Sequence, residues 1–318
     1  MVLNPVCLNA NVRDFYFMEV RSVDRNLQLA NEAFKKEQWQ QAAQFYEQEY
    51  QSAPSEKINH LLVKSLFEDH QYKMAYTVMM DNLNSYLMDG QHVILMVRVL
   101  LVNHQLLMAH VLTATVPRLP AEVGQLLFQA EEEARQKPGF RKDYQTFYQL
   151  SALTLNQQQQ AFEKGKQLPL GEWVTATKAL LIDPFVKPII RVSLLEMVQK
   201  LKLKERFTFR WLDNKNYEVA GNQLKSLAEV KKVGILERTL QAMLGDHDPM
   251  TQQLYQNELG LQVTLLYPFI DRAIPDPQAW VTRLIQGDQE QSAALPTAYS
   301  VEWWQRKLSQ IMSEMTGT

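Results

Sequence analysis

The sequence predicts an all-α fold, a superhelix of antiparallel helix pairs with one small β-hairpin in its C-terminal half. Three observations carry this expectation. Similar segments recur with alanines at Ala42, Ala75 and Ala109, spaced by 33 and then 34 residues. Asp-Pro pairs at Asp183, Asp248 and Asp276 each precede a helix-like run, with Asp suited to the N-cap and Pro to the first helical position. Only "RFTFRWLDNKNYEVAG" alternates apolar and polar residues as a strand does, with turn residues in its middle. The chain is thus read as an N-terminal arm at 1–21, a helical repeat domain at 22–182 and a helical C-terminal region at 183–318. The hairpin falls at about 206–220 and a terminal amphipathic helix at about 300–315.

Within the repeat, Phe34, Phe67 and Leu101 share one register, Gln38, Gln71 and Gln105 a second, and Trp39, Tyr72 and Leu106 a third. Two antiparallel helices pack closely where a small residue sits at their crossing, so the three alanines mark the crossings. Trp39, Tyr72 and Leu106 lie about one turn earlier on the same face and are expected to wedge the paired helices. Ala30, Trp39, Ala42, Tyr46 and Pro54 stand where the tetratricopeptide repeat family has its signature residues, and residues 22–117 resemble that family. Later units depart from it, with Val63 and Val97 in the place of Ala30.

The resemblance implies a superhelix whose first helices line a concave groove that holds a protein or peptide. Position nine of each unit is then Asn31, Lys64 and Arg98, a ladder able to meet peptide backbone or an acidic group, with Phe34, Phe67 and Leu101 as apolar contacts. At the positions of the family's carboxylate clamp only Asn31 matches, because Leu27, Leu61, Gln91 and Leu95 fill the others.

After the third unit, Pro117 and Pro120 break the chain before "AEVGQLLFQAEEEARQK", a helix stopped by Pro138 and Gly139. The stretch from Phe147 to Pro169 reads as a helix, a Gln-rich turn and a short helix carrying Ala161. Beyond Asp248-Pro249 a helix with Leu254, Leu261, Leu265 and Leu266 as its apolar stripe runs until Pro268. Its Tyr-Pro ending resembles the C-terminal portion of uncharacterised tetratricopeptide-like proteins of low-GC Gram-positive bacteria, which implies a bacterial, cytoplasmic protein. The last helix presents Val301, Trp304, Leu308, Ile311 and Met315 on one face, to cap the array or to join a second copy.

Composition narrows the function classes. Lys and Arg total 33 against 35 Asp and Glu, so a net charge of −2 supplies no global attraction to nucleic acid or membrane. The first residues lack a basic region followed by an apolar run, and "VILMVRVLLV" falls short of the ~20 residues that cross a bilayer, so no membrane span is expected. The single cysteine, Cys7, fits a reducing compartment.

A phosphate loop, a Gly-x-Ser-x-Gly elbow and a His-Glu-x-x-His motif are all missing from the sequence. His70 and His104 share the turn between helices, where capping is the expected role, and "DHD" at 246–248 reads as helix-capping residues. The expectation is a non-catalytic protein- or peptide-binding repeat protein without metal or cofactor. The alternative is a nucleic-acid or ribosome-associated factor that uses Lys200, Lys202, Lys204, Arg206 and Arg210 beside Phe207, Phe209 and Trp211.

Overall fold

A computed structural model describes residues 25–245, 248–287 and 296–316. The expected arm, Cys7, Asp246, His247 and most of the polar linker before the last helix lie outside the described residues. Among the described residues the fold is all-α with one two-stranded antiparallel hairpin. Two compact units divide at Glu133/Ala134, inside a helix, whereas the sequence reading put its boundary at 182/183. Among the described residues no helix is long and apolar enough to cross a membrane.

The first unit contains α1 (25–35), α2 (Trp39–Ser52), α3 (Glu56–Glu68), α4 (Tyr72–Asp81), α5 (Gly90–Val102), α6 (Leu106–Thr113) and the start of α7 (Ala121–Gln136). Consecutive helices from α2 to α6 pack on one another, and α3 also meets α5. The repeat shows most clearly in the turns. Glu37, His70 and His104 have φ of 57°, 61° and 59°, one per unit. Around each, two reversed hydrogen bonds close the helix end: Gln38 N to Ala33 O and Glu37 N to Phe34 O in the first unit. Gln71 with Leu66 and His70 with Phe67, then Gln105 with Leu100 and His104 with Leu101, repeat the pattern. This is a Schellman ending, which needs a left-handed residue and is usually supplied by Gly. The shared position of His70 and His104 is therefore a backbone requirement of the turn.

Ala42, Ala75 and Ala109 are fully buried, as crossing residues must be, and so are Ala30, Val63 and Val97 in an earlier register. Trp39 differs from expectation. Only half-buried, it begins α2 and meets Phe34 edge-on at 5.3 Å, while Tyr72 meets Phe67 at 5.4 Å. These rings close the turn from the last turn of one helix to the first of the next, and the crossing itself is left to the alanine.

In the second unit, α8 (Phe140–Tyr148) and α9 (Leu155–Gly165) form a tight pair. The glutamine run expected as a turn lies inside α9, because Thr154 and Gln157 form a capping box and start the helix before it. Next come α10 (Leu170–Ile182) and α11 (Pro188–Lys200). Asp248 and Asp276 cap α13 (Pro249–Leu265) and α15 (Pro277–Gln286) as expected, each accepting from two backbone N–H groups. Asp183 does not start a helix: its carboxylate accepts from Phe185 N at 2.8 Å within the loop between α10 and α11.

Strands β1 (Arg206–Arg210) and β2 (Asn216–Ala220) pair with Phe207 opposite Val219 and Phe209 opposite Tyr217. Phe207, Phe209 and Trp211 are buried, and α10 packs on β1. Phe269 and Trp304 meet this aromatic cluster, and α12 (Lys231–Leu244) packs on α13, the single turn α14 (Ile270–Ala273) and α15. In α13, Leu265 and Leu266 are buried as expected, but Leu254 is exposed and Leu259 and Val263 take the core face. The last helix, α16 (Val301–Thr316), buries Trp304 and Leu308 within its own chain, with Trp304 4.7 Å from Trp211. Its Gln305 donates to Trp280 O at 2.9 Å, so the part of the expected apolar face at Trp304 and Leu308 packs within the second unit, while Val301, Ile311 and Met315 are half-buried.

Candidate binding groove

Along α3, Lys57, His60, Leu61, Lys64 and Glu68 recur at three- and four-residue steps and so share one helix face. This face meets Phe34 of α1, Gln91, His92, Leu95 and Arg98 of α5, and Glu122 of α7 around a groove of about 600 Å³. Every lining helix is the first of its pair or, for α7, the element that follows the last pair. The lining includes the aliphatic Leu61, Ile94 and Leu95, with three cations, Lys57, Lys64 and Arg98, and three carboxylates, Glu56, Glu68 and Glu122.

Of the six expected site residues, Phe34, Lys64 and Arg98 come together in this groove. Lys64 Nζ lies 5.4 Å from the centre of the Phe34 ring, a cation over an aromatic face. Arg98 is ion-paired with Glu122 at 2.6 Å on an exposed edge. The other three have different roles. Asn31 accepts a hydrogen bond from the Tyr46 hydroxyl at 2.9 Å and so ties α1 to α2. Phe67 and Leu101 pack against the apolar core.

The sequence reading missed His60 and His92. Their rings lie 3.8 Å apart, tilted by 37°. Position follows from their neighbours: Asp89 caps α5, accepting from Gln91 N and His92 N, while Asn59 is locked by Tyr86, Tyr50 and Val78 O. Ser85 Oγ donates its one proton to Asn82 O at 2.7 Å, so it accepts from His60 Nε2 at 2.7 Å and fixes that tautomer. Burial pushes the His60 imidazole down to about 4, with His92 adding to the shift and Asp89 opposing it. The groove therefore presents a neutral His60 at neutral pH. Stepping from Lys64 by helical periodicity would have found His60. Glu122 lies beyond the repeat and carried no such signal.

The basic segment has a different arrangement. Lys200, Lys202 and Lys204 are exposed, but Arg206 pairs with Glu218, Lys178 pairs with Glu205, and the aromatic side chains beside them are core. Stacking a base needs an accessible ring face, and Phe207, Phe209 and Trp211 offer none. Among the described residues no three His, Cys, Asp or Glu side chains gather as a metal site needs. No family model, curated protein or solved structure matches the chain.

Proposed function

We propose that the first unit is a non-catalytic, tetratricopeptide-like peptide-binding module of the bacterial cytoplasm. The observation that carries this reading is the convergence of Phe34, Lys64 and Arg98, from successive helix pairs, on one groove of about 600 Å³. Leu61, Ile94 and Leu95 suit apolar side chains of an extended peptide, while Lys57, Lys64 and Arg98 orient its carbonyls and acidic groups. Arg98 exchanges Glu122 for the ligand at small cost, because an exposed ion pair is worth only about 0–1 kcal/mol. Panning a displayed random-peptide library on the immobilised chain tests this. The wild type should enrich peptides that combine acidic and apolar residues, and the Lys64→Glu/Arg98→Glu variant should not. Equal enrichment by both overturns the proposal.

A further inference from the structure

The hairpin leaves one strand edge without a neighbour. Its register runs unbroken from Arg206 opposite Ala220 to Arg210 opposite Asn216, and just beyond the strands Trp211 N donates to Lys215 O and Gly221 N to Glu205 O. In an antiparallel pair, residues that exchange hydrogen bonds alternate with residues that do not. The bonded pairs therefore include Phe207 with Val219 and Phe209 with Tyr217, and Asn216, Glu218 and Ala220 turn their N–H and C=O groups away from β1. Among the described residues no other backbone group bonds them. Strand β2 carries neither a proline nor a bulge, the usual guards of an open edge, and its one charged residue, Glu218, is paired with Arg206.

A groove of about 450 Å³ adjoins this strand, within the ~300–1,000 Å³ of ordinary ligand clefts. Three consecutive residues, Glu218, Val219 and Ala220, line it. Successive side chains of a strand point to opposite faces, so a lining of consecutive residues places the groove along the edge of β2. Leu224, Val230, Pro268 and Phe269, all half-buried, add apolar surface. The charges in the lining balance, with Arg206 and Lys225 against Glu218 and Asp271, so backbone and apolar matching decide what fits.

We infer that this groove takes an extended segment of a partner protein as a third strand beside β2, with apolar residues alternating with polar ones. The donors and acceptors of Asn216, Glu218 and Ala220 repeat every two residues, about 6.8 Å, and another extended backbone repeats at the same interval. A second copy of the hairpin is a poorer match. Pairing β2 with its own copy about Glu218 sets two carboxylates directly opposite, which destabilises a ladder. The site belongs to the second unit and is independent of the groove proposed for the first.

Panning tests the inference on the full chain carrying Lys64→Glu/Arg98→Glu, so that peptides held by the first unit do not compete. A displayed hexapeptide library that alternates Val, Ile or Phe with polar residues should enrich ligands. An enriched hexapeptide should bind the further variant Glu218→Pro at least tenfold more weakly. Proline there removes an N–H that faces away from β1, so the hairpin keeps its own ladder. N-methylation of the peptide gives a second readout that leaves the protein unaltered. Methyl groups on one set of alternate residues should abolish binding and on the other set should not, because only every second N–H of an added strand bonds β2. No enrichment, equal affinity for Glu218→Pro, or the same response to both N-methylation patterns would overturn the inference. So would a dimer in sedimentation velocity that Glu218→Pro dissolves, since the edge would then serve a second copy.

Discussion

Replacing Gly165 by alanine should destabilise the second unit, even though Gly→Ala is ordinarily favourable in a helix. A Cβ at residue 165 would lie 2.5, 2.7 and 2.9 Å from Cδ2, Cε2 and Cγ of Phe147. Carbon atoms that are not bonded normally stay ~3.5 Å or more apart, so the ring or the helix must move. Phe147 is fully buried and stacks against Trp173 with centroids 6.4 Å apart, which leaves the ring no open side. Overpacking of this kind costs about 1–3 kcal/mol, and the propensity gain at the last residue of α9 offsets only a fraction of 1 kcal/mol. A net loss of about 1–2 kcal/mol should lower the melting temperature by roughly 2–8 °C in a calorimetric scan. Gly260→Ala is the matched control in the same unit and should raise stability by about 1 kcal/mol. An unchanged or raised melting temperature for Gly165→Ala would refute the close approach of α8 and α9.

His104 holds a left-handed conformation at an exposed turn, so His104→Gly should stabilise the first unit by about 0.5–1 kcal/mol in urea denaturation. A loss of stability would contradict the turn geometry. His60 supplies a pH test. Its pKa falls to about 4 on folding, from 6.5, so the unfolded chain binds the proton more readily between those values. The resulting stability is complete above pH 6.5 and is lost as pH falls toward 4, with a slope of at most about 1.4 kcal/mol per pH unit and less where groove water screens the ring. His60→Gln should flatten that part of the pH–stability curve, and an identical curve for both proteins would remove the burial argument.

The helix pairs were legible in the sequence because their determinants are local. A small residue at each crossing and a fixed turn register recur whatever surrounds them, so Ala42, Ala75 and Ala109 disclosed the pairs and Glu37, His70 and His104 mark the turns between them. The fates of individual polar side chains were not local. Asn31 bonds Tyr46 across a helix pair, and Arg98 meets Glu122 from a helix outside the repeat. Asp183 shares the dipeptide of Asp248 and Asp276, yet Gln158 and Arg191 hold its carbonyl and its neighbours in a loop. Alternation places Phe207, Phe209 and Trp211 on one side of the hairpin, and that side is buried.

The groove itself is tested most directly by titrating a labelled, library-selected peptide into three proteins and reading fluorescence anisotropy. Lys64→Glu/Arg98→Glu should weaken binding at least tenfold with an unchanged circular dichroism spectrum, while reversal of Lys200, Lys202 and Lys204 leaves the affinity at the wild-type value. Wild-type affinity in the groove variant, or loss of binding only in the Lys200/Lys202/Lys204 variant, would contradict a binding site between α3 and α5.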